Sequence, residues 1–212
     1  MDESKRNIAP WLSNILALDR KLTEKFVRSV EKFMPMRQLQ IHYKVLEISC
    51  HGVLWFASIL ALIWILNQPN LFQVQVNLLI GLLLDVIIIG LLKALTRRRR
   101  PAINNDPLAL GPDKYSFPSG HASRAVLLSY FFFYLWPLPT IFHPPLLAWV
   151  VSISLSRVLM RRHYILDITA GSLIGYAEGI LMSILYLEPA TCTNLISWIT
   201  DEKMEGTEGA ET

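Results

Sequence analysis

The sequence predicts an all-α chain, a polytopic membrane helical bundle with about five transmembrane helices and an N-terminal amphipathic interfacial helix. Three observations predict it. Hydrophobic residues make up 52% of the 212 residues and mean hydropathy is +0.37, too apolar for an ordinary soluble domain. Apolar runs long enough to cross a hydrocarbon layer recur from residue 45 onward. The basic residues cluster at the ends of those runs rather than being scattered along them.

Taken in order, residues 1–18 read as a polar leader in which Pro10 and Trp11 open a short apolar patch. The first 40 residues are charged throughout and hold no long apolar core, so no cleavable signal peptide is expected and insertion falls to the first membrane helix. From Asp19 to Met34, Leu22, Phe26, Val30 and Phe33 recur at helical spacing among Lys21, Lys25, Arg28 and Lys32. That pattern suits a basic amphipathic helix on an anionic membrane surface; a solvent-facing bundle helix would show the same period. Spans follow at 45–66 and 71–92, separated by the turn Asn67-Gln68-Pro69-Asn70. After a polar loop at 93–117, a third span covers 119–136 and stops before Pro137-Leu138-Pro139. A fourth covers 141–157, with Pro144 and Pro145 tolerated in its first turn, and the last covers 164–187. The expected organisation is therefore a leader and amphipathic helix at 1–44, a membrane domain at 45–187 and an acidic tail at 188–212. Asp85, inside the second span, is expected to be a structural hydrogen-bonding partner facing the protein interior.

Alternating spans put 19 of the 20 Lys and Arg residues on the side of the N-terminus, with only Lys203 opposite. Positive residues stay on the cytosolic side, so the charged face is expected in the cytosol and the tail in the lumen. Two cysteines, Cys50 and Cys192, stand far apart without ligand spacing, which argues against a disulfide framework or a zinc site.

Three clusters at span ends carry chemistry. Lys93 to Pro101 closes the second span; were the helix to continue, Lys93, Arg97 and Arg100 would share a face, Lys93 and Arg100 about 10 Å apart along the axis. A basic stop-transfer flank explains Arg98 and Arg99 without chemistry. In Pro118-Ser119-Gly120-His121, Ser119 reads as a helix N-cap, Gly120 admits an anion close to the backbone, and the helix N-terminus favours a phosphate. His121 is placed to protonate a leaving oxygen, although a capping turn with an incidental histidine would look the same. In the 156–167 stretch, helical spacing from Tyr164 would let His163 meet Asp167, and a carboxylate holding an imidazole in one tautomer makes the other nitrogen a better base or nucleophile. Arg157 supplies a planar cation for an oxyanion, while Arg161 and Arg162 suit an interfacial anchor.

In order, Lys-x6-Arg-Pro, Pro-Ser-Gly-His and Ser-Arg-x5-His-x3-Asp resemble the type 2 phosphatidic acid phosphatase (PAP2) superfamily, whose active site is similar to that of vanadium haloperoxidases. Lys93, Arg100, Pro101, Pro118, Ser119, Gly120, His121, Ser156, Arg157, His163 and Asp167 all match, over about residues 45–187. Lys93–Pro101 together with Lys114-Tyr115-Ser116-Phe117 looks like the polyisoprenoid (presqualene) diphosphate phosphatase branch. The resemblance implies two-step hydrolysis without metal or other cofactor. His163 would attack phosphorus and form a phosphohistidine, Asp167 would orient it, and His121 would protonate the leaving oxygen and then activate water. Lys93, Arg100, Arg157, Ser119 and the Gly120 backbone would hold the phosphoryl oxygens. The family plan has six helices; here the amphipathic stretch at 19–34 replaces the first, which would turn the site to the cytosol. Expected partners are a phosphorylated isoprenoid or other lipid substrate and membrane lipids of the endoplasmic reticulum or nuclear envelope, with no nucleic acid. A general phosphatidate, lysophosphatidate or sphingosine-phosphate phosphatase, a catalytically inactive scaffold and a lipid-binding or transport protein stay open as alternatives.

Overall fold

The computed structural model describes residues 9–34, 36–102 and 114–200. These form α1 (Pro10–Glu31), α2 (Met36–Ser49), α3 (Gly52–Leu66), α4 (Pro69–Thr96), α5 (Gly120–Tyr130), α6 (His143–Leu159), α7 (Ile165–Leu185) and α8 (Pro189–Thr200). No β-strand occurs among the described residues beyond one isolated bridge, Arg99 with Tyr115. The expected all-α membrane bundle is what the chain builds.

Sequence accounts for most helix ends. Asn67 takes a left-handed φ of 39° at the C-cap of α3, and Pro69 opens α4 where its missing N–H costs nothing. Outward-facing residues such as Leu83, Val86, Leu91, Leu173, Tyr176 and Ile184 are exposed, as lipid-facing positions should be.

Three elements differ from expectation. The first span is two helices, bent by 51° at Cys50-His51. The break leaves the Cys50 carbonyl free of the helix ladder, and Arg124 donates to it at 3.2 Å. Second, Pro69–Thr96, Thr140–Leu159 and Ile165–Leu185 are long and apolar enough to cross a membrane, with the bent pair as a fourth. The helix expected as the third span runs where it was placed, but its last turn is a five-residue π turn at Phe131–Leu135 following the 11 residues of α5. It packs against α4, α6 and α7, so it is sheltered by protein and needs no lipid-facing length. Third, α8 lies in the stretch read as a tail. Its Cys192 and Ile196 pack on Phe72 and Val76 of α4, and the Asn77 side-chain amide accepts from Leu187 N–H at 2.8 Å and donates to the Leu187 carbonyl at 3.1 Å. Residues 201–212 lie outside the described residues.

The centre of the bundle is polar where helices meet. Asp85 of α4 pairs with Arg124 of α5 at 2.6 Å, both buried, so Asp85 is a structural partner as expected. Arg124, counted by sequence among the basic residues of one face, is inside the bundle. Glu178 of α7 accepts from Ser123 of α5 at 3.2 Å. Beside these bonds, α7 presents Gly171, Gly175 and Gly179 to α5. A Cβ would stand 2.4 Å from the Ser119 carbonyl oxygen at Gly171, and 2.1 Å from that of Ser123 at Gly175. Only glycine lets the two backbones approach this closely, as at membrane helix interfaces generally.

Candidate active site

The site forms where α4 ends, α5 begins and α6 turns into α7. At the end of α4, Lys93 is buried and Arg97 takes a left-handed φ of 48° that stops the helix. The helix does not continue to Arg100, so the single face expected for Lys93, Arg97 and Arg100 is not formed. Arg97 instead donates its Nε to the Ala94 carbonyl. The chain then runs antiparallel to 115–117: Ser116 N–H donates to the Arg98 carbonyl at 2.8 Å and Arg100 Nε to the Tyr115 carbonyl at 3.4 Å. The intervening 103–113 lies outside the described residues.

α5 starts as read. Ser119 is extended at the N-cap, and its hydroxyl oxygen accepts from Ala122 N–H at 3.4 Å. Its own N–H donates to the Asp167 carbonyl at 3.0 Å, pinning this helix start to the first turn of α7. Gly120 also packs closely, since a Cβ would approach the end of the Ile89 side chain to 3.2 Å. The buried Nε2 of His121 has no hydrogen-bond partner among the described residues.

The α6–α7 turn curls around the Arg157 carbonyl, which accepts from the N–H groups of Arg162 (3.1 Å) and His163 (3.2 Å). Arg161, at a left-handed φ of 54°, makes that turn possible. The Arg157 side chain, 2% exposed, donates through both Nη atoms to Glu47 Oε1 of α2, at 3.0 and 3.1 Å.

His163 is not in the helix: α7 begins at Ile165 with Tyr164 as N-cap. Its Nδ1 lies 2.7 Å from the Ser116 carbonyl and 3.8 Å from Asp167 Oδ2. The Ser116 carbonyl is therefore the nearer partner of Nδ1, and the Asp167 carboxylate expected to meet His163 stands beside it at ion-pair distance. A carbonyl can only accept, so the neutral ring carries its proton on Nδ1 and the lone pair on Nε2. Burial lowers the His163 pKa to about 4, helped by the Arg100 and Lys93 cations and opposed by Asp167. Lys93, Arg157 and His163 also act electrostatically on His121, so the three sequence clusters converge on one site.

Asp167 is fully buried. Its Oδ2 accepts Tyr164 N–H at 2.8 Å, and its Oδ1 accepts Arg98 Nη1 at 2.6 Å. Arg98 is thus a member of the site and not only a topology signal. Its second nitrogen binds Asp19 Oδ2 of α1 at 2.6 Å, and its guanidinium carbon lies 4.1 Å from the Tyr164 ring centre. Sequence reading missed Asp19, Glu47, Ser116 and this use of Arg98. A signal existed for two of them: Glu47 is a lone carboxylate in an apolar span, and Asp19 an acid on a basic helix.

Comparison with known proteins agrees with the geometry. The PAP2 superfamily matches over residues 75–189. The chain is 32% identical over 197 residues to the probable lipid phosphate phosphatase beta of Arabidopsis thaliana, covering 80% of this chain and 89% of that protein. Among solved structures, Aquifex aeolicus LpxE superposes with a TM-score of 0.58 at 20% identity, over 77% of this chain and 95% of LpxE, a likeness of fold. With its motifs converging at one end of a helical bundle, this chain belongs to the PAP2 superfamily and is a membrane phosphatase.

Proposed function

We propose that this chain is a metal-independent lipid phosphatase that hydrolyses polyisoprenoid diphosphates and monophosphates through a phosphohistidine, at the cytosolic face of the endoplasmic reticulum or nuclear envelope. The observation that carries the chemistry is the Ser116 carbonyl on His163 Nδ1, which leaves the Nε2 lone pair for attack. Nε2 forms the N–P bond as the bond from phosphorus to the leaving oxygen breaks, and His121 gives that oxygen a proton. Water then attacks phosphorus, His121 takes its proton, and the N–P bond breaks to release phosphate and regenerate neutral His163. For a prenyl diphosphate the leaving group is the prenyl monophosphate.

Lys93, Arg100 and Arg157 supply fixed positive charge around the transferring group, the main requirement of phosphoryl transfer. Asp167 offsets the charge that develops on the His163 ring. An apolar cleft of about 170 Å³, lined by Phe26, Leu155, Val158, Ile165 and Ile168, opens beside the turn that holds His163. It suits the first part of a lipid tail with the head at the basic end. Arg98 is committed to two carboxylates, whereas the exposed Arg97 and Arg99 beside it suit the second phosphate of a diphosphate. The 32% identity to a lipid phosphate phosphatase supports the broader alternative of a phosphatidate-type substrate.

The test is phosphate release by purified protein from farnesyl diphosphate, phosphatidate and sphingosine phosphate, with EDTA present. Hydrolysis should persist in EDTA, be inhibited by vanadate and vanish in His163→Ala. A strict magnesium requirement, or full activity in His163→Ala, would refute the mechanism.

A further inference from the structure

We propose that α1 is a working part of the active site, with Asp19 a positioning residue that balances Arg98 so that the charge of Asp167 stays available to His163. This rests on the phosphatase mechanism proposed above.

The contacts are specific and buried. Arg98 lies between Asp19 and Asp167 at 2.6 Å on each side, and both carboxylates are buried. Asp19 spends its other oxygen on Leu166 N–H (3.1 Å), and Thr23, one turn on, accepts Ile165 N–H at 3.1 Å. The first turn of α7, which carries Asp167, thus has two of its free N–H groups satisfied by α1 rather than by its own cap. Val27, the next buried residue of α1, packs with Val158 and Leu159 of α6. Asp19, Thr23 and Val27 line the face docked on the site, while Trp11, Ile15, Leu18 and Leu22 form an exposed apolar stripe beside it. One helix therefore presents one face to the protein and an apolar face suited to a membrane interface.

Charge decides what Asp19 does. Two carboxylates and one guanidinium leave one net negative charge facing His163, whose ring becomes positive when phosphorylated. Without Asp19, Arg98 would cancel Asp167 and the phosphohistidine would lose its counter-charge. Without Arg98, two carboxylates would repel each other beside the ring. Removing both charges together restores the original balance.

The experiment compares wild type, Asp19→Asn, Arg98→Gln and the double variant, in mixed micelles of whichever lipid the wild type turns over. Turnover by the wild type checks the phosphatase reading by itself. Asp19→Asn should lower kcat about tenfold or more with KM little changed. The double variant should recover kcat above both single variants, an outcome that loss of a purely structural contact would not give. Thermal unfolding of each variant separates folding losses from catalytic ones, and recovery in the double variant keeps the test decisive should Asp19→Asn be unstable. Wild-type kcat in a folded Asp19→Asn, or a double variant slower than both single variants, would overturn the role of Asp19 while leaving the phosphatase reading intact.

Discussion

His163 shows how much one backbone oxygen can decide. With its Nδ1 proton given to Ser116 and its ring buried among Arg100 and Lys93, the histidine stays neutral far into acid and keeps its attacking lone pair. Since the attacking form is the unprotonated one, kcat/KM should hold its value as pH falls to about 5 and decline only below about 4. The neighbours set the sign of any change. Arg100→Gln removes a cation and should move that acid limb to higher pH, whereas Asp167→Asn removes an anion and should move it lower. Comparing variants on one lipid cancels the ionisation of the substrate itself, and a limb that moves down in Arg100→Gln would contradict the electrostatics. Arg157 makes a related case. Its buried pair with Glu47 occupies the guanidinium that is expected to meet phosphate, so Glu47→Gln leaves a buried cation without its counter-ion. Stability should drop by about 3–5 kcal/mol. Vanadate should recover more of that loss in the variant than it adds to wild type, which melting curves with and without vanadate will show.

At the scale of elements, α5 against α7 holds the site together. Gly175 permits the backbones to meet, and Ser119 N–H then reaches the Asp167 carbonyl. Gly175→Ala should force the helices apart, costing about 1–3 kcal/mol as overpacking, and should lower activity because Ser119 and Asp167 separate. A variant with wild-type melting and turnover would show that the interface gives way freely. This scale also shows what sequence could reveal. The start of α5 was legible because Pro-Ser-Gly-His is a local cap, and the turn at Asn67–Pro69 because its residues dictate their own backbone. The bend at Cys50-His51 was not, since Arg124, the donor to the carbonyl that it frees, lies 74 positions away. Arg98 read as one of four adjacent arginines because its partners, Asp19 and Asp167, lie 79 and 69 positions away. The extent of the α5 helix was legible, but its enclosure by α4, α6 and α7 was not, because apolar composition does not distinguish shelter by protein from exposure to lipid.

For the whole molecule, charge along the chain bears on which side of the membrane the site opens to and which lipid it takes. Leaving aside Arg124, which is buried against Asp85, alternating spans assign almost all the remaining basic residues of the sequence to the side of Lys93, Arg157 and His163. Moving so many charges across a bilayer is unfavourable, so that face should be cytosolic. α1 supports the same orientation, because its Arg20, Lys21, Lys25 and Arg28 suit the anionic cytosolic leaflet. Prenyl diphosphates are expected at that leaflet, and their extra negative charge suits a site rimmed by exposed Arg97 and Arg99. Orientation and substrate are separable by experiment. An engineered glycosylation sequon within residues 103–113 should stay unmodified in microsomes, while one placed after residue 200 should be glycosylated. Farnesyl diphosphate should be hydrolysed with a higher kcat/KM than phosphatidate, and Arg97→Gln with Arg99→Gln should narrow that preference by raising KM for the diphosphate. Glycosylation within 103–113 would reverse the orientation. Equal or better turnover of phosphatidate would leave a general lipid phosphatase, with Arg97 and Arg99 serving topology alone.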